Sequence, residues 1–559
     1  MAKFRVPSWL QSPSSAAEAD RKKQNRRSFA GFSSLKARPE ATVAPEPHTV
    51  QREKPVPEEA APNGQFRMVE LAKKIAAESE KVETYFKNNS LPEPAFGADA
   101  PEDYPDLPGD VQRSRQEIAN SCQELERLAR GPRECVRWGA WAFLDTLSLQ
   151  VVNRYDIAKL VPLDAPIPLS ELQTKTTLDP INLARVLRHA MTNRIFCEPS
   201  PGLIAHTAAS RLLATDASLQ DWVGFNAEDH FPAAAHVLDA LQEHPEATSL
   251  TQTGFNYAYG TVDKEPMFVT LGKDPVRAKR FGGAMMSLTG TAGYEVRYFV
   301  DGCDLTAVNE QKGTFVDIGG SHGFVCVELA KRWNAMKFVV QDLPKTVESA
   351  PKPICEDESV AERIDFQVHD FFKEQPIKDA DVYYFRWIVH NYSNPYAVKL
   401  LRNLVPALKP GARIIINEHC LEQPGIDDPW DDKLMRSMDM VMLALLNAQE
   451  RREDEFKALF AEADSRFAFK GAKRIEGCRM SIVEAVWEPE APKTVGTEQN
   501  GDVEVPDADA SQPVNVPPER MSQNGKDAAP HISACPGSPS PRPRPPTHPP
   551  TATTSEENL

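Results

Sequence analysis

The sequence predicts an α/β protein built on a mostly parallel sheet, preceded by a helical domain and flanked by a tail at each end. Two observations predict the sheet. Continuous apolar runs alternate with helix-like segments over residues 236–488, which is typical of parallel strands covered on both faces. A glycine-rich turn at residues 316–323 joins the first of these runs to a helix-like segment. The helical domain is predicted over residues 66–235, and the tails over residues 1–65 and 489–559.

The compositions of the two tails favour disorder. The first tail is rich in Ser, Pro, Ala, Glu and charged residues, and the 559-residue chain contains 48 prolines. A basic cluster at residues 21–27 suits a nuclear-import or anionic-surface patch, although a solvated tail is the commoner explanation of such runs. The segment 538–546 favours polyproline II, which suits either an SH3-like partner or a plain extended tail.

Charge, apolar run length and cysteine content argue against several classes of function. The net charge of -16 argues against general nucleic-acid binding. No apolar run reaches membrane-spanning length, and the N-terminus lacks a signal-peptide core, so we expect a cytoplasmic protein with no membrane partner. The nine cysteines are scattered without C-x-x-C spacing, which favours reduced thiols and no zinc or other metal site.

The helical domain begins with an amphipathic stretch at residues 66–72. Residues 138–149 are almost wholly apolar, which predicts a buried helix. A further helix is expected at residues 178–190, with Pro180 in its first turn, and residues 195–207 are expected to form a hairpin. Helix, turn, helix and hairpin together are the pattern of a winged helix.

A winged helix suits either DNA reading or protein packing. The second helix carries only two basic residues, Arg185 and Arg188, and they alternate with core positions. Because DNA binding depends on neutralising phosphates, this helix and the acidic net charge favour packing or dimerisation.

The α/β domain should place its ligand site at one edge of the sheet. We expect strands at residues 314–316, 337–340, 365–370, 380–386 and 412–418, and a closing antiparallel pair at residues 467–473 and 480–487. Ligands of such sheets bind at the carboxyl ends of the strands. Charged side chains fall at or near those ends, namely Asp317, Asp342, Asp370, Arg386 and Glu418. Their coincidence predicts an active site there.

The glycine turn suits a nucleoside cofactor. Glycines such as Gly319 and Gly320 let the backbone approach a ligand closely, and the acid Asp342 at the end of the next strand can accept hydrogen bonds from ribose hydroxyls. The G-x-G-x-x-G pattern is absent, and Asp317 inside the turn would repel a pyrophosphate. The pattern therefore favours a cofactor without phosphates that carries an amine or a positive charge. The alternative is a tight turn that binds nothing.

His390 is the candidate general base, because its ordinary pKa lies near neutrality. Glu418 ends the fifth strand and is expected close to the imidazole, where a carboxylate would fix the tautomer of the ring. Glu450 is a candidate second carboxylate. The alternative is a purely structural histidine.

At these motifs the chain resembles the S-adenosylmethionine-dependent small-molecule O-methyltransferases, the caffeic-acid type, and in particular their fungal secondary-metabolite branch. The resemblance covers about residues 130 to 488 and rests on segments 316–323, 341–344, 369–372, 386–390, 408–411 and 417–418. It implies a class I methyltransferase Rossmann-like sheet, an N-terminal winged-helix dimerisation domain and a homodimer.

The resemblance also implies roles for matching residues. The cofactor S-adenosyl-L-methionine would contact Asp317, Gly319, Gly320, Asp342, Leu343, Asp370, Phe371 and Arg386. His390 would deprotonate the substrate hydroxyl with Glu418 and Glu450 beside it, and Met285 would line the acceptor pocket. The chain departs from the family pattern after His390, where Asn391 to Asn394 replace the usual Asp-Trp-Ser-Asp.

Three functions remain open on the sequence alone. The leading hypothesis is methylation of a hydroxyl of an aromatic or polyketide-type secondary metabolite. A relative of this fold can instead use its bound cofactor for cyclisation, rearrangement or decarboxylation. The third possibility is a non-catalytic dimeric partner, against which the presence of His390 and Glu418 argues.

Overall fold

The computed structural model describes residues 66–489. The predicted disordered tails, the basic cluster at residues 21–27 and the proline-rich segment at residues 538–546 lie outside this range. Among these residues there is no helix with the length and apolar character that a membrane span requires.

The N-terminal half of the described chain is mainly helical. Its helices are α1 (Arg67–Asn88), α2 (Gly109–Trp141), α3 (Phe143–Arg154), α4 (Ile157–Leu160), α5 (Leu169–Thr174), α6 (Pro180–Thr192), α7 (Ala208–Thr215), α8 (Ala217–Phe225) and α9 (Phe231–Ala235), with a π-helical turn at Asn226–His230. Three short strands, β1 (Ile167–Pro168), β2 (Cys197–Ser200) and β3 (Leu203–Ala205), pair antiparallel in the order β1-β3-β2.

The predicted helix–turn–helix–hairpin order is present as α5, α6, β2 and β3. The Asp179 side chain caps α6 by accepting the N–H of Ile181 at 2.9 Å, and Pro180 opens the helix. A capping acid satisfies an N–H that has no partner within the helix, and proline fits the first turn because its own N–H is not needed there. Local chemistry therefore sets where this helix begins.

The prediction of a buried helix at residues 138–149 is wrong. These residues span the end of α2 and most of α3, and large side chains there remain exposed: Trp138 by 52%, Trp141 by 60% and Phe143 by 49%. An apolar sequence predicts that a surface will be covered but does not say by which part of the molecule. Within the described chain, this surface is left uncovered.

The α/β part begins with six more helices before its first strand. They are α10 (Val237–Glu243), α11 (Gly254–Tyr259), α12 (Met267–Gly272), α13 (Pro275–Thr289), α14 (Val296–Gly302) and a short α15 (Thr306–Glu310) that leads into the sheet. The remaining helices are α16 (Phe324–Arg332), α17 (Pro344–Ser349), α18 (Glu358–Ala361), α19 (Asn394–Arg402), α20 (Pro429–Leu446) and α21 (Glu453–Ala463), with 3₁₀ turns at Val389–Asn391 and Val405–Ala407.

Seven strands form the main sheet, in the order β11-β12-β8-β7-β4-β5-β6. They are β4 (Thr314–Ile318), β5 (Lys337–Asp342), β6 (Ile364–Val368), β7 (Val382–Arg386), β8 (Arg413–Glu418), β11 (Phe467–Arg474) and β12 (Ser481–Trp487); the two-residue strands β9 (Cys420–Leu421) and β10 (Arg451–Arg452) pair apart from it. Strands β4 to β8 are parallel, and β11 and β12 are antiparallel, as predicted.

The strand order puts the ligand-binding crevice beside β4. From β4 the chain runs through β5 and β6 on one side, then returns to β7 and β8 on the other side. In α/β sheets the ligand-binding crevice opens at the point where the strand order reverses in this way. Both faces of the sheet are covered, because one apolar cluster includes Val316, Phe385 and Ile416 and the other includes Phe315, Tyr384 and Ile415.

Candidate active site

The glycine turn after β4 leaves room that a side chain would fill. Gly319 has a left-handed backbone with φ of 75°, and a Cβ placed there would lie 2.6 Å from Cδ1 of Ile388. The N–H groups of Gly319 and Gly320 donate to the carbonyl oxygen of Gln341 at 2.8 and 3.1 Å. The turn is thus held against β5, and glycine is required for both its conformation and its close contact with the loop that follows β7.

Asp317 lies directly beneath this turn. Its side chain is buried, and a Cβ on Gly320 would lie 2.5 Å from its carboxyl carbon. Burial raises the pKa of Asp317 to about 7, which the thiol of Cys326 and the charge of Arg386 only partly oppose. A buried carboxylate is stabilised by a positive group brought beside it. The turn therefore fits a cofactor that carries an ammonium group and no phosphate.

Asp342 is held rigidly at the end of β5. Its two carboxylate oxygens accept the N–H groups of Ser321 at 2.9 Å and Leu343 at 2.7 Å. The neighbouring Leu343 is 55% exposed. Each oxygen retains a lone pair for a further hydrogen bond, so the pair of oxygens can receive two adjacent hydroxyl groups.

The loop after β6 approaches the glycine turn from the other side. Asp370 accepts the N–H of Phe372 at 3.0 Å, which fixes the start of this loop. A Cβ on Gly319 would lie 3.8 Å from the ring of Phe371, so this aromatic side chain borders the turn. Phe371 also packs edge-on against Tyr392, with ring centroids 5.8 Å apart. The structure thus brings an acid and an aromatic ring to the crevice.

Arg386 is turned toward the protein rather than toward solvent. It is buried at the end of β7, where it donates to Oδ1 of Asn417 and, at 2.5 Å, to the carbonyl oxygen of Tyr294. Its guanidinium therefore ties β7 to β8 and to the segment before α14. Its charge still reaches Asp317, where it favours the ionised carboxylate.

His390 and Glu450 form the central pair of the site. Nδ1 of His390 lies 2.8 Å from Oε1 of Glu450, and both side chains are buried. A carboxylate on Nδ1 holds the proton on that nitrogen and leaves Nε2 as the basic atom. The 3₁₀ turn at Val389–Asn391 carries His390 above the carboxyl end of β7, where the sequence places the ligand site.

Glu418 contacts the same turn through its backbone and not through the imidazole. Its oxygens accept the N–H groups of Ile388, Val389 and His390 at distances between 2.5 and 3.0 Å. The expected carboxylate–imidazole contact is therefore made by Glu450, and Glu418 fixes the backbone beneath the ring. Sequence order could not distinguish the two, because Glu450 is 60 residues from His390 along the chain.

The three groups influence one another strongly. Burial is the largest single effect on the pKa of His390, and it lowers this pKa. The charge and hydrogen bond of Glu450 and the charge of Glu418 act in the opposite direction and together outweigh burial, so the pKa of His390 is above its ordinary value. Burial would raise the pKa of Glu450, yet the imidazoles of His390 and His419 lower it to about 2. Burial raises the pKa of Glu418. His390 and Glu450 thus favour the imidazolium–carboxylate state.

Arg451 clamps the loop that follows His390. Its buried guanidinium donates to the carbonyl oxygens of Val389 at 3.2 Å and Tyr392 at 2.7 Å, and to Oδ1 of Asn394 at 2.9 Å. Asn394 is one of the residues at which the chain departs from the family pattern. Its amide oxygen accepts the guanidinium without adding a negative charge beside the two glutamates.

Met285 lies on α13, partly buried in an apolar cluster that includes Phe225, Phe255 and Met442. Met442 is on α20, the helix whose Asp439 accepts the N–H of Glu450 at 2.9 Å. Helix α20 therefore connects the surroundings of Met285 to the His390–Glu450 pair.

Three further side chains lie at this site without having been predicted from the sequence. His419 is fully buried with Nδ1 3.5 Å from Oε1 of Glu450, and its Nε2 lies 3.1 Å from the hydroxyl of Tyr294. The ring of Trp387 packs against both imidazoles, with centroids 5.0 Å from His390 and 4.9 Å from His419. His419 directly follows Glu418 and Trp387 directly follows Arg386, so these two positions were a signal in the sequence, whereas Tyr294 belongs to a distant segment.

The crevice beside β4 combines a glycine turn, the acid Asp342 and a buried histidine–glutamate pair, an arrangement that suits a transferase with a nucleoside cofactor. The O-methyltransferase domain family matches residues 236–466. A chlorophenol O-methyltransferase of Trichoderma longibrachiatum is 62% identical over 426 residues, which cover 76% of this chain and 91% of that protein. The chain belongs to the S-adenosylmethionine-dependent O-methyltransferase family, and it is an O-methyltransferase.

More distant comparisons agree with this family. An O-methyltransferase of the grayanic acid biosynthesis cluster of Cladonia grayi is 35% identical over 448 residues, covering 79% of this chain and 93% of that protein. The crystal structure of OxaC matches with a TM-score of 0.59 and 22% identity, covering 76% of this chain and all of that one. At that identity the structural match establishes the fold alone.

Proposed function

We propose that this protein methylates the hydroxyl group of a small phenolic compound and that His390 is the general base. The observation that carries the proposal is the buried contact between Nδ1 of His390 and Glu450, which leaves Nε2 as the basic nitrogen. A phenol is a poor nucleophile until its proton leaves, so a base held in place can contribute a factor of about 10² to 10⁴ to the rate.

The cofactor supplies an activated methyl group on a positively charged sulfur. The residues of this chain must hold the acceptor oxygen in line with that methyl group and accept the phenolic proton at Nε2 of His390. Glu450 would stabilise the imidazolium that forms, and Glu418 would hold the backbone of the turn in place through three hydrogen bonds. Trp387, packed on the imidazole, would limit its rotation.

We assign the cofactor contacts by the same reasoning. Asp342 would accept the two ribose hydroxyls, beside the exposed Leu343, and Asp370 and Phe371 would border the adenine. Gly319, Gly320 and Asp317 would hold the amino-acid part, since the buried carboxyl of Asp317 gains from a nearby ammonium group. The charge of Arg386 acts on this end of the site through Asp317.

The acceptor class follows from the most informative relative and from the surroundings of Met285. The 62% identical protein is named for chlorophenol, so chlorinated phenols are the first acceptors to test. An electron-withdrawing chlorine makes the hydroxyl more acidic and so eases transfer of its proton to His390. The apolar cluster around Met285, which includes Phe281 and Met438, suits an aromatic ring better than a charged acceptor.

The N-terminal helices would form a winged-helix dimerisation domain over residues 66–235, followed by the catalytic domain over residues 236–488. The exposed Trp138, Trp141 and Phe143 support this assignment, because an apolar surface of this kind is usually covered by another chain. A homodimer is the simplest assembly that covers it. We place the protein in the cytoplasm.

The test is incubation of the full chain with methyl-labelled S-adenosylmethionine and a panel of chlorinated and unsubstituted phenols. We expect label in the phenol ether, a loss of about 10³-fold in kcat for His390→Ala, and unchanged cofactor binding in that variant. His236→Ala is the matched control, because His236 has an exposed side chain whose ring contacts Asp239 of α10, and the variant should retain most of the activity.

Two results would contradict the proposal. Full activity of His390→Ala would remove the histidine from the mechanism. Cofactor binding by the wild-type protein with an altered but unlabelled phenolic product would indicate a non-methylating use of the cofactor.

A further inference from the structure

A second buried histidine sits on the far side of the catalytic carboxylate. Oε1 of Glu450 faces two imidazoles, with Nδ1 of His390 at 2.8 Å and Nδ1 of His419 at 3.5 Å. The longer distance is not a formed hydrogen bond, and Nδ1 of His419 has no other partner among residues 66–489. Oε2 of Glu450 likewise has none in that range. An unpartnered, buried ring nitrogen therefore lies 3.5 Å from the oxygen of Glu450 that already contacts His390, on a carboxylate whose other oxygen also has no partner in that range.

The other face of His419 is occupied by Tyr294. The hydroxyl of Tyr294 lies 3.1 Å from Nε2 of His419 and is buried with it. Burial raises the pKa of Tyr294, so its hydroxyl keeps its proton and can donate it in a hydrogen bond. An imidazole that accepts at Nε2 carries its own proton on Nδ1, which is the nitrogen that faces Glu450.

We propose that Tyr294 and His419 form a positioning pair that holds a neutral N–H toward Glu450 and thereby sets how strongly that carboxylate acts on His390. His419 is a positioning residue, since it contacts Glu450 and not the reacting atoms. The inference deepens the proposed function, because it rests on His390 being the base.

The pair works by sharing the charge of Glu450. An N–H from His419 stabilises the carboxylate, so less of its charge is available to the imidazolium of His390. The other charged or titratable groups around the cluster are Glu418, Arg451 and Asp439 near Glu450 and, near Tyr294, Arg479, Asp431 and Cys478. None of these places a neutral donor on the side of Glu450 that faces His419.

A neutral donor at this position has a catalytic benefit. A base must be deprotonated before it can accept the phenolic proton, and a fully uncompensated Glu450 would keep His390 protonated up to a higher pH. Sharing the carboxylate between two rings preserves the tautomer of His390 while limiting that effect.

The test is the titration of His390 itself, in the full chain labelled with ¹³C at Cε1 of histidine. The chain has 12 histidines, and the His390→Gln variant identifies the signal of interest. We expect the titration midpoint of His390 to rise by about half to one pH unit in His419→Ala, because Glu450 then has one ring partner. His419→Asn places an amide N–H near the position of Nδ1 and should restore most of the wild-type midpoint.

An unchanged midpoint in His419→Ala overturns the proposal, whatever its activity. If that variant does not fold, Tyr294→Phe decides: it keeps His419 but removes the hydroxyl donor, and a midpoint equal to the wild type overturns the proposal. A merely structural His419 would lower the thermal midpoint of unfolding without moving the titration. Because the titration needs no substrate, failure of the wild-type protein to methylate phenols would count against the proposed function and not against this pair.

Discussion

Oε1 of Glu450 lies 2.8 Å from Nδ1 of His390, and both side chains are buried. The contact raises the pKa of His390 against the opposing effect of burial. Because the proposed base acts in its neutral form, kcat/KM should rise with pH through this pKa. The acid limb of the profile is therefore expected above about pH 6.5, the ordinary histidine value.

Replacing Glu450 tests the sign of this effect. Glu450→Gln removes the negative charge, so the pKa of His390 falls and the acid limb should move to lower pH by about one unit or more. The maximal rate should fall about tenfold or more, because the imidazolium loses its partner. The measurement is the pH profile of kcat/KM with a phenolic acceptor. A limb that moves to higher pH would contradict this account of the pair.

Glu418 should matter for stability as much as for activity. Its carboxylate accepts three backbone N–H groups, and Glu418→Gln replaces one acceptor oxygen by a donor that faces another donor. We expect the free energy of unfolding to fall by about 2 to 3 kcal/mol, measured by urea denaturation. Glu488→Gln is the control, since Glu488 forms an exposed ion pair with Lys470 of β11 and should lose less than about 1 kcal/mol. Equal losses would contradict the assignment.

Asp342 should contribute to cofactor affinity. Asp342→Asn keeps one acceptor oxygen but loses the charge, and we expect the Kd for S-adenosylmethionine to rise by about tenfold to a hundredfold. Isothermal titration calorimetry would measure it. Asp365→Asn is the control, because Asp365 is an exposed acid on the neighbouring strand β6. An unchanged Kd for Asp342→Asn would move the ribose site elsewhere.

The buried Asp317 predicts how stability depends on pH in the absence of cofactor. Its folded pKa of about 7 exceeds the ordinary aspartate value of 3.8, so between these values the folded state holds one proton more than the unfolded state. Stability should therefore fall as pH rises from about 4 to 7. Asp317→Asn cannot ionise and should lose this dependence, which thermal unfolding across that pH range would detect. An identical pH dependence in the variant would show that Asp317 does not titrate as described.

The exposed tryptophans predict an oligomer. Trp138 and Trp141 pack edge-on at 5.9 Å and leave most of their surface uncovered. The double variant Trp138→Ser, Trp141→Ser should convert a dimer to a monomer in analytical ultracentrifugation. Val276→Ser, which alters a single exposed apolar residue on α13, should leave the dimer intact. A wild-type monomer would contradict the proposed assembly.

Much of the fold was determined by local sequence. Continuous apolar runs of β-branched and aromatic residues fix the strands of the sheet, and Asp179 with Pro180 fixes the start of α6, because capping and propensity depend on near neighbours along the chain. The carboxyl-end rule then placed Asp317, Asp342, Asp370 and the turn of His390 at one edge without any knowledge of contacts.

The partners of His390 were decided only by tertiary structure. Glu418 and Glu450 are both acids near the predicted site, and nothing local distinguishes a carboxylate that caps a backbone turn from one that holds an imidazole. That choice depends on how α20 and the segment after it return to the sheet. This return places Glu450 beside both His390 and His419, and Tyr294 contacts His419 from the other side. For the same reason an apolar run such as residues 138–149 predicts a covered surface but not what covers it: burial is a property of the folded assembly, whereas hydrophobicity is a property of the chain.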